Sequence, residues 1–103
     1  MNRLEQLMQF YLDDPGDPLN LYLLALEYRN TDLNESIKLF QELLTVHPSY
    51  LPAYYTAAEI LYSADRLKEA LEIAHNGMVL ARQTGAQKII AELQNLISEM
   101  ETE

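Results

Sequence analysis

Along almost the whole chain the apolar positions recur every three or four residues, the period of helices that bury one face. Proline, glycine and capping residues cut this pattern into six segments. The first puts Leu4, Leu7, Met8 and Tyr11 on one face and stops at Asp13-Asp14-Pro15-Gly16. Asp17 is placed to cap the second, Pro18 suits its first turn, and residues 19–28 are so apolar that this helix must be buried on several sides. The third opens on Asp32 and Glu35 in a capping-box arrangement, carries Leu33, Ile37, Phe40, Leu43 and Leu44 inward, and ends before Pro48. A fourth starts near Pro52 with Tyr54, Ala57, Ala58 and Leu61 on its inner face. The fifth begins at Asp65 and turns Leu67, Ala70, Leu71, Ala74 and Met78 inward. Thr84 and Gln87 read as a second capping box, opening a last helix through Ile89, Ile90, Leu93, Leu96, Ile97 and Met100, with residues 101–103 expected to fray.

Short connections between helices of this length favour antiparallel neighbours. Whether they form a bundle or a solenoid depends on a repeat, and one is present. Pro15 and Pro48 each follow a helix end and lie 33 residues apart. Leu7 and Phe40 stand eight residues before them, and Phe10 matches Leu43. At a spacing of 34 the small residues Ala74 and Gly77 take these places, and Arg82 stands where proline would be. Leu24-Ala25 and Tyr28 match Ala57-Ala58 and Leu61, while Leu33 and Ser36 match Leu67 and Ala70. Short side chains at Ala25, Ser36, Ala58 and Ala70 have a physical reason, since helices approach closely only where side chains are small.

This register resembles the tetratricopeptide repeat, a 34-residue antiparallel helix pair with a small residue in each helix, an aromatic in the first and a proline after the second. Leu24 to Tyr28 and Ser36 to Leu44, followed by His47-Pro48, carry the resemblance in one unit, and Tyr54 to Ala58 with Lys68 to Leu71 in the next. The family implies an all-α fold, a right-handed superhelical stack of antiparallel helix pairs, here about six helices. It predicts one domain made of a half-repeat over residues 1–17, repeats over 18–50 and 51–84, and a capping helix over 85–103. Two features depart from the family pattern. The turn Arg29-Asn30-Thr31-Asp32 is one residue short and lacks glycine, which predicts a tighter or frayed connection, and the small residues of the fifth segment predict a helix continuing to Gln83.

Stacked helix pairs leave a shallow groove lined by the first helix of each pair. By resemblance the groove positions are Leu19, Tyr22, Leu26 and Arg29, then Pro52, Tyr55, Glu59 and Tyr62. Tyrosine suits recognition because it offers rigid apolar area with a polar tip. The alternative use of such a residue is core packing, expected for Tyr28 and Tyr54 and evenly balanced for Tyr22, Tyr55 and Tyr62. Many members of the family clamp a chaperone-tail carboxylate with Lys, Asn and Arg. The matching positions here hold Tyr22, Leu26, Tyr55 and Glu59, which cannot converge cationic or amide donors on an anion.

Composition narrows the remaining choices. Sixteen Asp and Glu against seven Lys and Arg give a formal charge of -9, which repels phosphate backbones and anionic lipid. Nucleic acid and membrane are therefore not expected partners, and an apolar or basic peptide or protein segment is. No cysteine is present, so disulfides, thiolate catalysis and cysteine-bound zinc are ruled out, in keeping with a cytoplasmic protein. His47 and His75 have no nucleophile at a matching place in the pattern, so no catalytic residue or cofactor is expected. Asp13-Asp14-Pro15-Gly16-Asp17 lacks the alternating ligands and distal glutamate of a calcium loop. Two readings follow: a non-catalytic adaptor binding a partner in the groove, or a self-assembling structural unit such as a homodimer.

Overall fold

A computed structural model describes residues 1–102 and places them in six helices: α1 (Arg3–Asp13), α2 (Pro18–Tyr28), α3 (Leu33–Val46), α4 (Pro52–Ser63), α5 (Leu67–Thr84) and α6 (Gln87–Glu101). No strand occurs among the described residues. The chain divides into two compact units, Met1–Pro48 and Ser49–Glu103.

In the first unit α2 packs against both α1 and α3. Each start is fixed by a side-chain acceptor for an otherwise orphaned N–H. Asn2 Oδ1 accepts from the Glu5 amide at 2.8 Å, Asp17 Oδ1 from Leu19 at 2.9 Å and Asp32 Oδ1 from Glu35 at 3.1 Å. The capping box at Asp32 is only half used, because the Asp32 amide donates to the Tyr28 carbonyl instead. The short turn before it is the tighter of the two expected forms: the Arg29, Asn30 and Thr31 amides each donate to the carbonyl three residues back, so the exit is hydrogen-bonded throughout. Asn20 of α2 reaches back to the Phe10 and Asp14 carbonyls and ties down the end of α1.

Leu7, Leu21, Leu24, Ala25, Ile37, Phe40 and Leu43 form the buried interior of this unit. Burying a side chain the size of Phe40 or Leu24 contributes about 1.5–3 kcal/mol. Close approach of α2 and α3 is registered by Ser36, fully buried, whose hydroxyl donates to the Ala25 carbonyl at 2.6 Å. The two short residues that the repeat pattern singles out thus meet.

In the second unit α4, α5 and α6 pack against one another. The interior comprises Ala53, Tyr54, Ala57, Ala58, Ile60, Leu61, Ala70, Ala74, Met78, Ala81, Leu93, Leu96, Ile97 and Met100. Gly77 has a steric role: a Cβ built there would lie 2.6 Å from Tyr54 Cβ and 3.3 Å from Leu93 Cδ1. Tyr54 therefore occupies the space a side chain at 77 would need. At the matching positions of the first unit, Leu21 and Leu43, two medium side chains are buried instead.

The exits of α4 and α5 each pass through a left-handed residue. At α4 it is Asp65, φ 60, with the Arg66 amide donating to Leu61 and the Asp65 amide to Tyr62. At α5 it is Gly85, φ 70, with Ala86 donating to Ala81 and Gly85 to Arg82. These exits correct two expectations. Asp65 terminates α4 rather than opening α5, which starts at Leu67 after Arg66, itself gripping Glu69 through two 2.7 Å hydrogen bonds. Thr84 belongs to the last turn of α5, where its hydroxyl donates to Ala81, and α6 starts after Ala86 with no side-chain cap. The C-terminal glycine sets that boundary, so no capping box forms between Thr84 and Gln87. Glu101 is helical, contrary to the expected fraying, and Glu103 lies outside the described residues.

Candidate functional site

On α2 the four residues assigned to a recognition face differ in exposure. Leu19 is 46% exposed in the first turn, Arg29 is exposed at the C-terminal cap, and Tyr22 and Leu26 are half-buried. Their spacing of three and four residues puts them on one side of the helix. Tyr22 also meets the buried Phe40 of α3 edge to face, with ring centroids 5.8 Å apart and planes at 82°. That contact holds the tyrosine ring in a fixed orientation and gives it a packing role as well as an exposed surface.

On α4 Pro52 is exposed, and Tyr55, Glu59 and Tyr62 are half-buried along one side. Tyr54, one residue from Tyr55, points inward and is buried, while Tyr28 of α2 is only half-buried, less than the core role expected of it. The Tyr55 hydroxyl titrates above the ordinary tyrosine range, through burial first and then the negative charge of Glu59, Glu92 and Glu99. Glu92 and Glu99 belong to α6, which packs on α4, so a second helix contributes to the electrostatics of this face. Neither residue was among the candidates. Their seven-residue separation marks a common side of α6, but that the side turns toward Tyr55 is a tertiary fact.

Each face therefore combines an aromatic ring with neighbouring apolar or acidic groups. Tyr22, Leu26, Tyr55 and Glu59 offer no pair of cationic donors for a carboxylate. His47 closes α3 through its backbone amide, which donates to Leu43 at 2.8 Å, and His75 is exposed on α5. Asp17 serves as a helix cap, and Asp13 accepts from Gln9 at 2.9 Å within α1. Among the described residues no three His, Asp or Glu side chains gather as metal ligands, and no helix is long and apolar enough to cross a membrane.

No family model matches the sequence, and no curated protein matches it. Solved structures do. A tetratricopeptide repeat domain protein from Salinibacter ruber, in its solution structure, is 32% identical with a TM-score of 0.81, the match covering 86% of this chain and 91% of that one. The crystal structure of a tetratricopeptide repeat domain protein from the same organism gives 31% identity and a TM-score of 0.77 over 82% of this chain and 97% of that one. A protein from Bordetella parapertussis shares the fold at a TM-score of 0.83 over 99% of this chain and 90% of that one, with 17% identity. The identity and near-complete coverage of the first, together with the recurring small residues and the helix-pair architecture, place this chain in the tetratricopeptide repeat family.

Proposed function

We propose that the protein is a non-catalytic protein–protein interaction module, an adaptor whose repeats run over residues 18–50 and 51–84 and whose α2 and α4 faces bind a peptide or protein segment. Membership of the tetratricopeptide repeat family carries the reading, since such folds serve as interaction modules. Leu19, Tyr22, Leu26 and Arg29 on one helix and Pro52, Tyr55, Glu59 and Tyr62 on the other are the proposed contacts. The partner segment is apolar or basic: Tyr55 stands in the negative potential of Glu59, Glu92 and Glu99, and the chain as a whole carries -9. The absence of cysteine supports a cytoplasmic setting.

An array of apolar, basic and acidic peptides, probed with the wild-type chain and with Tyr55→Ala, tests this. Basic or apolar peptides should bind, and the variant should weaken them roughly tenfold, as loss of an aromatic anchor does, with the melting curve unchanged. Binding confined to acidic peptides, or binding indifferent to Tyr55 and Tyr22 alike, would remove the assignment. Self-association is a second reading, favoured by one observation: Phe10 on α1 is 58% exposed.

A further inference from the structure

We propose that α1 pairs antiparallel with α1 of a second copy about a two-fold axis, making a weak homodimer; this rests on the self-association reading. In both complete hairpins the face that matches Arg3 and Phe10 is covered by the helix that precedes it. In α3 that face carries Ser36, bonded to Ala25 of α2, and the buried Leu43; in α5 it carries Ala70 and Gly77, the latter against Tyr54 of α4. The corresponding face of α1 shows an exposed phenylalanine where its counterparts are buried.

The order of groups on that face identifies the occupant. Arg3, Gln6, Phe10 and Asp13 follow one another at helical spacing, with the exposed Asp14 in the C-cap just beyond, so the stripe reads cationic, apolar, anionic from its N-terminal end. An antiparallel copy reads anionic, apolar, cationic. Pairing Arg3 with Asp14 of the partner subunit puts the two-fold near residue 8.5, and at 1.5 Å rise the two phenylalanines lie about 5 Å apart along the axis, within contact. The stripe is thus complementary to itself, as an isologous interface must be. An antiparallel α1 also runs in the direction that α2 runs beside α3, so the second copy supplies the kind of neighbour the hairpins have. Arg3 Nε lies 3.3 Å from Glu27 in the same chain, but 65% of the Arg3 side chain is exposed and its other N–H groups can reach a second carboxylate.

Opposing the pairing is the -9 carried by each copy. At physiological salt that repulsion is screened beyond about 8 Å, whereas groups in contact are screened much less, so a small and weak interface can persist.

Sedimentation equilibrium of the full chain from about 10 µM to about 1 mM, a range that captures weak interfaces, tests the proposal. A reversible monomer–dimer equilibrium is expected. Phe10→Ser should weaken it at least about tenfold, the scale of an anchoring aromatic, with an unchanged melting curve because the side chain is exposed. Arg3→Asp should weaken it, and Arg3→Asp combined with Asp14→Arg should restore it, a rescue that simple loss of the Arg3–Glu27 contact cannot produce. A strict monomer across the range overturns both the self-association reading and this interface. A dimer indifferent to Phe10, or one that the charge exchange does not restore, overturns this interface alone. Should the chain stay monomeric while an amphipathic Leu/Lys peptide perturbs the Phe10 resonances, the face belongs to a different partner.

Discussion

Replacing Gly77 by alanine should destabilise the protein, although the same change in an exposed helix interior stabilises by about 1 kcal/mol. A new Cβ would sit 2.6 Å from Tyr54 Cβ, against the roughly 3.5–4.0 Å of an ordinary carbon contact, so the pair must separate by about 1 Å. Tyr54 Cβ adjoins the backbone and cannot swing away; α4 and α5 have to move apart. Overpacking of a dense core costs about 1–3 kcal/mol, and an immovable neighbour selects the upper end. Set against the propensity gain, the net loss is about 2 kcal/mol. For a domain near this size that lowers the melting temperature by roughly 8–16 °C. Far-UV circular dichroism during heating and urea titration would measure it, with Asn76→Ala, exposed on the same helix, as the control expected to stay within about 0.5 kcal/mol. If Gly77→Ala instead raised the melting temperature, the close approach of α4 and α5 at this point would be wrong.

The left-handed exit of α4 gives a prediction of opposite sign. Asp65→Gly should stabilise by about 0.5–1 kcal/mol, since glycine adopts φ 60 without steric cost and an acidic charge leaves a helix C-terminus, and a higher urea midpoint at constant slope is the expected readout. Alkaline absorbance titration should show Tyr55 ionising above the ordinary range, and Glu99→Gln should move it back toward 10.0 while leaving the larger effect of burial. Because burial and the neighbouring carboxylates disfavour the phenolate, stability is undiminished below pH 10.0 and falls as the pH rises through the folded value, so alkaline unfolding should begin at higher pH in Glu99→Gln, where one source of repulsion is gone.

Helix number and most starts were legible because they rest on local chemistry: Asp17 with Pro18, Asp32, and the breakers after α1 act through their own backbone neighbours. Boundaries failed where two local signals competed. Thr84 and Gln87 have cap-like spacing, but Gly85 between them adopts the left-handed conformation that ends α5, and Asp65 resembles an N-cap although its backbone serves the helix before it. The faces proposed for recognition show in the sequence as stripes and not as surfaces. That Tyr22 rests on Phe40 while Tyr54 fills the space above Gly77 depends on which helices meet, which residue spacing alone does not state.

The division of volume between Tyr54 and Gly77 makes the two hairpins poor substitutes for one another. Exchanging their second helices would set a leucine at the Gly77 position beneath the tyrosine, and a glycine in the place of Leu43 would leave a void in the other hairpin. Such keyed halves disfavour mispairing between look-alike segments during folding, a hazard of repetitive chains. They also mean that engineers who recombine these modules must transfer each helix pair intact.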